Sequence, residues 1–357
     1  MAHEALKDND RHTAALQALA RARDEGAIKE STYANTCSWL KPSFAQVAVD
    51  GVRVGDCIEQ LVQEKKWDDL NDRFFEKNSF GTAGVRGRLA IGTAHFNTII
   101  LGLGVEAHAR YIISAYEKNG RELAREKAVI LAYDSRRGSY DPAAQGPGFL
   151  VKEAAGIYAA HGIKVYLFDT VAPTPELSFA IAELDGIKPY AGGVFTASHN
   201  PASDNGFKPY DYYGGQIVHT GVQDIADRIT DYGDVAAVSY EDGVTQGLIE
   251  IVGPAIDKEY IEKENQTAVW VDARGHFRSD KIAGSLRVVF SSLNGTSQRL
   301  VPRVLARRGF NIQDSLSLLP RNACRTGASQ PAPGRTPKKR KHLTKQSRWQ
   351  IQHGLIF

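Results

Sequence analysis

From Ala128 onward the chain alternates short apolar runs with amphipathic stretches. Ala128–Ala132 (AVILA) is apolar throughout, long enough for a buried strand and too short for a helix. It ends in a polar turn, Tyr133-Asp134-Ser135-Arg136-Arg137-Gly138. Phe149, Val151, Ala154, Ala155 and Tyr158 then share one helical face, and Gly162 is a stop signal. Lys164–Phe168 (KVYLF) predicts the next strand and Asp169–Pro175 a loop. Pro175 opens a helix through Leu177, Ala180, Ile181 and Leu184. Tyr190–Phe195 (YAGGVF) predicts a third strand, running into Thr196-Ala197-Ser198-His199-Asn200-Pro201. Strand and helix alternating through short loops predict an α/β fold, a three-layer, mostly parallel sheet with helices on both faces.

The flanks read differently. Residues 1–70 are expected to form a helical N-terminal extension, with Ala15, Leu16, Leu19 and Ala22 in one segment and Ile58, Leu61 and Val62 in another. Residues 71–232 hold the α/β domain. Within 233–314 an incomplete second copy of the unit is expected. Leu286–Phe290 predicts a strand, Ser291–Ser297 a polar loop, and Val301, Val304 and Leu305 mark a helix over Leu300–Arg307. Arg307-Arg308-Gly309-Phe310 then mirrors Ala160-His161-Gly162-Ile163 as helix end, glycine and strand start. Residues 315–357 show neither a helical nor a strand period and predict a basic tail, disordered or out of frame.

Charge separates the same segments. The chain of 357 residues has formal net charge +3. Residues 315–357 contribute +9 and contain no Asp or Glu, which leaves −6 on residues 1–314. The +3 is thus a seam between two compositions. No run approaches the ~20 apolar residues of a membrane span, and the first residues lack a basic-then-apolar leader pattern. Cys37, Cys57 and Cys324 are far apart and form no C-x-x-C, which fits a reducing, cytoplasmic setting and excludes a disulfide framework or a zinc site.

Three short motifs could carry chemistry. Phe80-Gly81-Thr82-Ala83-Gly84-Val85-Arg86-Gly87 reads either as a glycine-rich turn or as a loop whose N–H groups and guanidinium bind an anion. Thr196–Pro201 follows a strand and so falls at the sheet edge where open α/β folds bind ligands. There Ser198 could act as a nucleophile beside His199, or the segment could be a plain polar turn. Lys208, ten residues after Ser198, reads as a phosphoryl-neutralising or proton-transfer group or as a solvated loop lysine. Arg136 could reach the same pocket, or could only tie its own loop through Asp134. No H-x-x-x-H or H-E-x-x-H motif is present.

In their order along the chain, FGTAGVRG, YDSR, PTPE (Pro173 to Glu176), TASHNP and DNGFKPYDYYGGQI resemble the phosphohexomutases, the phosphoglucomutase and phosphomannomutase family, over about Trp67 to Asp314. Gly-Thr-Ala-Gly and the Gly-Gly-Gln-Ile extension are similar to the phosphoglucomutase–phosphopentomutase branch. The resemblance implies a cytoplasmic isomerase of carbohydrate metabolism that moves phosphate between positions of a sugar monophosphate of the glucose 1-phosphate/6-phosphate type. Its partner is that sugar phosphate, with no membrane and no nucleic acid. Ser198 would carry the phosphoryl group, with His199, Lys208 and Arg86 as catalytic groups. Thr82, Arg86, Arg136, Asn200 and Lys208 would bind substrate or phosphate. A sugar bisphosphate would be activator and intermediate, and Mg²⁺ would bind a phosphoserine oxygen of Ser198.

One departure stands out. The Asp-Gly-Asp-x-Asp-Arg metal loop that the resemblance implies is absent, and residues 315–357 have no Asp. Arg and Lys cannot replace three carboxylates around a hard cation. The expectation is therefore an N-terminal part of a mutase, inactive or nearly so, joined near residue 315 to sequence from another frame. The rival reading is a non-catalytic sugar-phosphate-binding domain with a basic tail that contacts nucleic acid or a partner.

Overall fold

Six residues in a row, Ala128 to Tyr133, are buried. A strand covered on both faces belongs in the middle of a parallel sheet with a helical layer on each side. The computed structural model describes residues 12–78, 84–218, 220–229, 232–267, 288–310 and 316–318. Its strands are β1 (Val85–Arg88), β2 (Glu126–Tyr133), β3 (Lys164–Phe168), β4 (Pro189–Phe195), β5 (Asp204–Tyr210) and β6 (Ile249–Val252). Among the described residues these six form one sheet in the order β6-β3-β2-β4-β5-β1. The strands β6, β3, β2 and β4 run parallel, β5 returns antiparallel to β4, and β1 is antiparallel to β5.

The helices follow from that order. Of the helices after β1, the longer ones are α5 (Thr98–Asn119), α6 (Phe149–Ala160), α7 (Thr174–Ala182) and α8 (Pro254–Thr267), numbered after the four longer helices of the N-terminal segment: α1 (Thr13–Asp24), α2 (Glu30–Trp39), α3 (Val54–Gln63) and α4 (Trp67–Phe74). The chain leaves β2 through α6 for β3 on one side, then leaves β3 through α7 for β4 on the other. Two right-handed crossovers in opposite directions place their helices on opposite faces of the sheet. Accordingly α5 packs with α6, and α8 packs with α7. The reversal opens a crevice between the carboxyl ends of β2 and β4, the position where such sheets bind ligands.

The N-terminal helices close a core of their own around Leu19, Ile58, Leu70 and Phe74. It reaches the α/β domain through Ile91 and Ile99. Gly162 ends α6 as its sequence position suggests, at φ 64°, with Ile163 N–H donating to Tyr158 O at 3.1 Å. Gly309 makes the same turn after α9 (Leu300–Arg307), at φ 83°, with Phe310 N–H donating to Leu305 O at 3.1 Å.

Four features differ from the sequence reading. The Gly-rich and Lys208 motifs are not loops alone: Val85–Arg88 and Asp204–Tyr210 are strands, although Asn, Gly and Pro speak against a strand interior. The hairpin with β4 overrides that propensity, pairing Gly193 with Pro209 and Val194 with Lys208. The sheet also continues past residue 232, because β6 adds to β3 from within the segment assigned to a second copy. In that segment β7 (Val288–Phe290) falls within the expected strand, whose Leu286 and Arg287 lie outside the described residues. Its parallel partner β8 is Leu316–Leu318, while the strand expected to start at Phe310 runs into residues outside the described ones. A three-residue run inside 315–357 is too short to register as a period, and pairing with β7 supplies its backbone partners. The rest of the tail, 319–357, lies outside the described residues.

Gly84 shows how tightly β1 is fitted. Its φ is 99°, and a Cβ there would sit 2.2 Å from Phe207 O. We expect Gly84→Ala to destabilise the fold by about 2–3 kcal/mol, measured as a fall in the urea unfolding midpoint at unchanged slope.

Candidate active site

The β4–β5 hairpin carries Thr196–Pro201 at the carboxyl end of β4. Its last ladder bond is Thr196 N–H to Gly206 O, 3.0 Å, and beyond it the loop leaves the sheet. Ser198 then enters the left-handed region at φ 56°. That conformation costs a residue with a Cβ roughly 1–2 kcal/mol and needs outside support. Part comes from Thr196, whose Oγ1 accepts the Ser198 N–H at 2.9 Å.

The rest comes from Arg136, in the loop that follows β2. Its Nη2 donates to Ser198 O at 3.0 Å and to Asn200 O at 2.9 Å. Its Nη1 donates to Pro201 O at 2.6 Å and to Asp204 O at 2.9 Å. Its Nε donates to Asp134 Oδ2 at 3.1 Å. A guanidinium has five N–H donors, and all five are engaged. Arg136 therefore holds the serine loop, and all its side-chain donors are engaged there. Asp134 orients it: the carboxylate also accepts the Arg136 N–H at 3.0 Å and a hydrogen bond from Thr196. Burial pushes the Asp134 carboxyl up from its ordinary value, and the bonds from Thr196 and Arg136 oppose that shift.

With the loop held, Ser198 points its exposed hydroxyl at a cation. Lys208 Nζ, rising from β5, donates to Ser198 Oγ at 2.9 Å. Burial lowers the Lys208 pKa, and the charge of Arg86 lowers it further. Arg86 lies on β1 opposite Gly206. A Cβ on Gly206 would come within 2.7 Å of Arg86 Cβ, so the glycine lets β1 approach. The Arg86 guanidinium is exposed and makes no hydrogen bond with a described residue.

The remaining predicted residues divide. His199 is exposed beside Ser198 and its ring has no hydrogen bond to a described residue. Asn200 Nδ2 donates to Asp204 Oδ2 at 2.9 Å, so its amide shapes the loop. Thr82 lies outside the described residues. Sequence reasoning passed over Thr196 and Asp204 as functional positions. The signal for Thr196 was present: a hydroxyl two residues before a turn commonly accepts a backbone N–H.

The groups around Ser198 Oγ suit an anion. Among the described residues no three His, Cys, Asp or Glu side chains gather as a metal-holding group. Asp134 and Asp204, the carboxylates of this loop system, are committed to Arg136, Asn200 and Ser203. This donor set does not fit Mg²⁺, a hard cation that needs free carboxylate oxygens.

Residues 77–235 match the family model described as phosphoglucomutase/phosphomannomutase, alpha/beta/alpha domain I. This part of the chain belongs to the phosphoglucomutase/phosphomannomutase family. A phosphoglucomutase of Staphylococcus epidermidis is 31% identical over 265 residues, which cover 74% of this chain and 42% of that protein. A phosphoglucomutase of Staphylococcus aureus is 30% identical over 258 residues, covering 71% of this chain and 41% of that protein. The chain thus spans less than half the length of these curated relatives. Among solved structures, one assigned as a phosphomannomutase from Thermus thermophilus shares the fold at TM-score 0.50 and 24% identity, over 68% of this chain and 46% of that one.

Replacing Arg136 would leave Asp134 without its cation and four carbonyls without their donor. We expect Arg136→Met to cost about 3 kcal/mol in urea unfolding and to speed amide hydrogen exchange across residues 197–204. Arg136→Lys should recover only part of both, because one ammonium cannot span the four carbonyls.

Proposed function

We propose that this chain is the phosphoryl-carrying part of a phosphohexomutase, an intramolecular phosphotransferase acting on a sugar monophosphate of the glucose 1-phosphate/6-phosphate type in the cytoplasm. The observation that carries the reading is the Lys208 Nζ contact with Ser198 Oγ at 2.9 Å, on a loop whose backbone Arg136 holds. Family membership and the curated relatives named phosphoglucomutase support it.

In this reading Ser198 carries a phosphoryl group. A sugar hydroxyl attacks the phosphorus, and the bond from phosphorus to Ser198 Oγ breaks as the new phosphorus–oxygen bond forms. Ser198 Oγ takes a proton from Lys208, whose lowered pKa makes it a readier acid than an ordinary lysine, and the proton released by the sugar hydroxyl passes through water to restore Lys208. The sugar bisphosphate reorients and returns its other phosphate by the reverse step. Catalysis of this kind is positioning plus charge balance. Arg86, with an exposed guanidinium beside Lys208, supplies the second positive charge. His199 stands at the open mouth of the loop, where it can contact the incoming sugar phosphate.

The Asp-Gly-Asp-x-Asp-Arg run is absent from the 357 residues, and the donors around Ser198 do not replace it. Turnover of glucose 1-phosphate by this chain alone is therefore expected to be nearly absent, while single-step phosphorylation of the serine remains open to it.

The test is incubation with glucose 1,6-bisphosphate followed by mass spectrometry of the digest. A phosphate on the peptide containing Ser198, lost in Ser198→Ala and reduced about 10–100-fold in Lys208→Met, is the expected result. Labelling runs the acid step in reverse and needs Lys208 to accept the serine proton, so it should rise with pH through a midpoint below the ~10.4 of an ordinary lysine, since Lys208 loses its charge earlier. Labelling on another residue, or labelling untouched by Ser198→Ala, would overturn the proposal.

A further inference from the structure

A cavity of about 580 Å³ opens where the N-terminal helices meet the α/β domain. Small-molecule sites run from about 300 to 1,000 Å³, so its size suits one guest of modest mass. Ser198, Lys208, Arg86 and Arg136 are not among its described lining residues, which sets it apart from the site above.

The walls are mostly apolar, and three of the side chains are aromatic. Trp39 ends α2, Phe44 lies in the short helix Pro42–Ala45, and Tyr232 comes from the chain beyond β5. Trp39 and Phe44 stack with ring centroids 6.0 Å apart, and Phe44 and Tyr232 with centroids 5.9 Å apart. From α5 come Ile99, Ile100 and Leu103. Phe44, Tyr232, Ile100 and Leu103 are only half-buried, and Ile229, also in the lining, is 36% exposed. Folding thus leaves apolar area here in contact with water, and a guest that covers it gains in proportion to that area.

The polar lining fixes the sign of the guest. Ser38, Thr93 and Asn78 donate within the protein, Ser38 Oγ to Asn35 O at 2.7 Å, Thr93 Oγ1 to Glu76 O at 2.6 Å and Asn78 Nδ2 to Arg86 O at 3.3 Å. Lys41, ahead of the short helix, and Lys77, ahead of β1, are exposed and pair with no acid among the described residues. No acid is among the described lining residues either. Aromatic walls alone would accept a neutral or a cationic guest, but two unpaired ammonium groups repel the cation and attract an anion.

We propose that this cavity binds a small aromatic monoanion, with its ring among Trp39, Phe44 and Tyr232 and its carboxylate toward Lys41 and Lys77. The apolar body supplies most of the affinity. The two lysines, being exposed, add a modest and salt-screened preference for the charged form. The site takes its walls from both the N-terminal helices and α5, so it exists only where the two are packed together.

The experiment is calorimetric titration of the full chain at low salt with 2-naphthoate and with its neutral isostere 2-naphthamide. We expect naphthoate to bind with a Kd below about 1 mM and the amide to bind about 3–10-fold more weakly. Changing Lys41→Met and Lys77→Met together, both at exposed positions, should bring the two ligands to within about twofold of each other. Leu103→Trp fills the space from α5, and Ile229→Trp fills it from an exposed position on which the core does not depend. Each should weaken naphthoate binding at least about fivefold, and Ile229→Trp decides if the α5 variant fails to fold. No binding of naphthoate, equal affinity for the amide, a charge preference that survives the paired lysine changes, or binding untouched by Ile229→Trp would each overturn the proposal.

Discussion

The site rests on one guanidinium. Arg136 engages four carbonyl oxygens of the serine loop and the carboxylate of Asp134, and this network fixes a backbone turn that Ser198 would not adopt unaided. The sheet makes the network possible. Because the crossovers from β2 and β3 run in opposite directions, the loop after β2 and the hairpin after β4 meet at adjacent strand ends. A half-buried, fully bonded arginine is a rigid support, whereas Lys208 and Arg86 rise from neighbouring strands and keep their charge toward the serine. Support and chemistry are thus assigned to different cations.

The same sheet edge carries a second polar network, centred on Glu176 and Asp257. The two networks have different electrostatic solutions. Around Arg136 the single positive charge meets one carboxylate and neutral carbonyls, and every donor is used. Around Glu176 and Asp257 two buried carboxyls meet two guanidinium groups, those of Arg299 and Arg303. Tyr133 and Asp134, adjacent at the end of β2, belong one to each network. Ser135 links them in space through Asn294.

Much of the α/β layer was legible in the sequence. Lys164–Phe168 is a strand with the bounds its apolar run suggests, and Gly162 ends a helix where a stop was expected. The serine motif falls at a strand's carboxyl end, as its place after Tyr190–Phe195 implied. Local pattern was silent where tertiary pairing decides. Asp204–Tyr210 contains Asn, Gly and Pro, yet the ladder to β4 makes it a strand and thereby lifts Lys208 to Ser198. The pairing of Arg136 with Asp134 was one of its two sequence readings, but its hold on the serine loop was not legible because those partners are main-chain carbonyls, which leave no side-chain signature in a sequence. Glu176 lies in the PTPE run, but its partner Arg299 is 123 residues away in the chain, and no periodicity joins them.

The most direct measurement of the central claim is a phosphorus NMR titration of the protein carrying phosphate on Ser198. If the held loop keeps Lys208 on the serine oxygen with Arg86 nearby, the phosphate should shed its last proton well below the ~6 of free phosphoserine. A phosphate that titrates like the free amino acid, in a protein with the loop intact, would contradict the account.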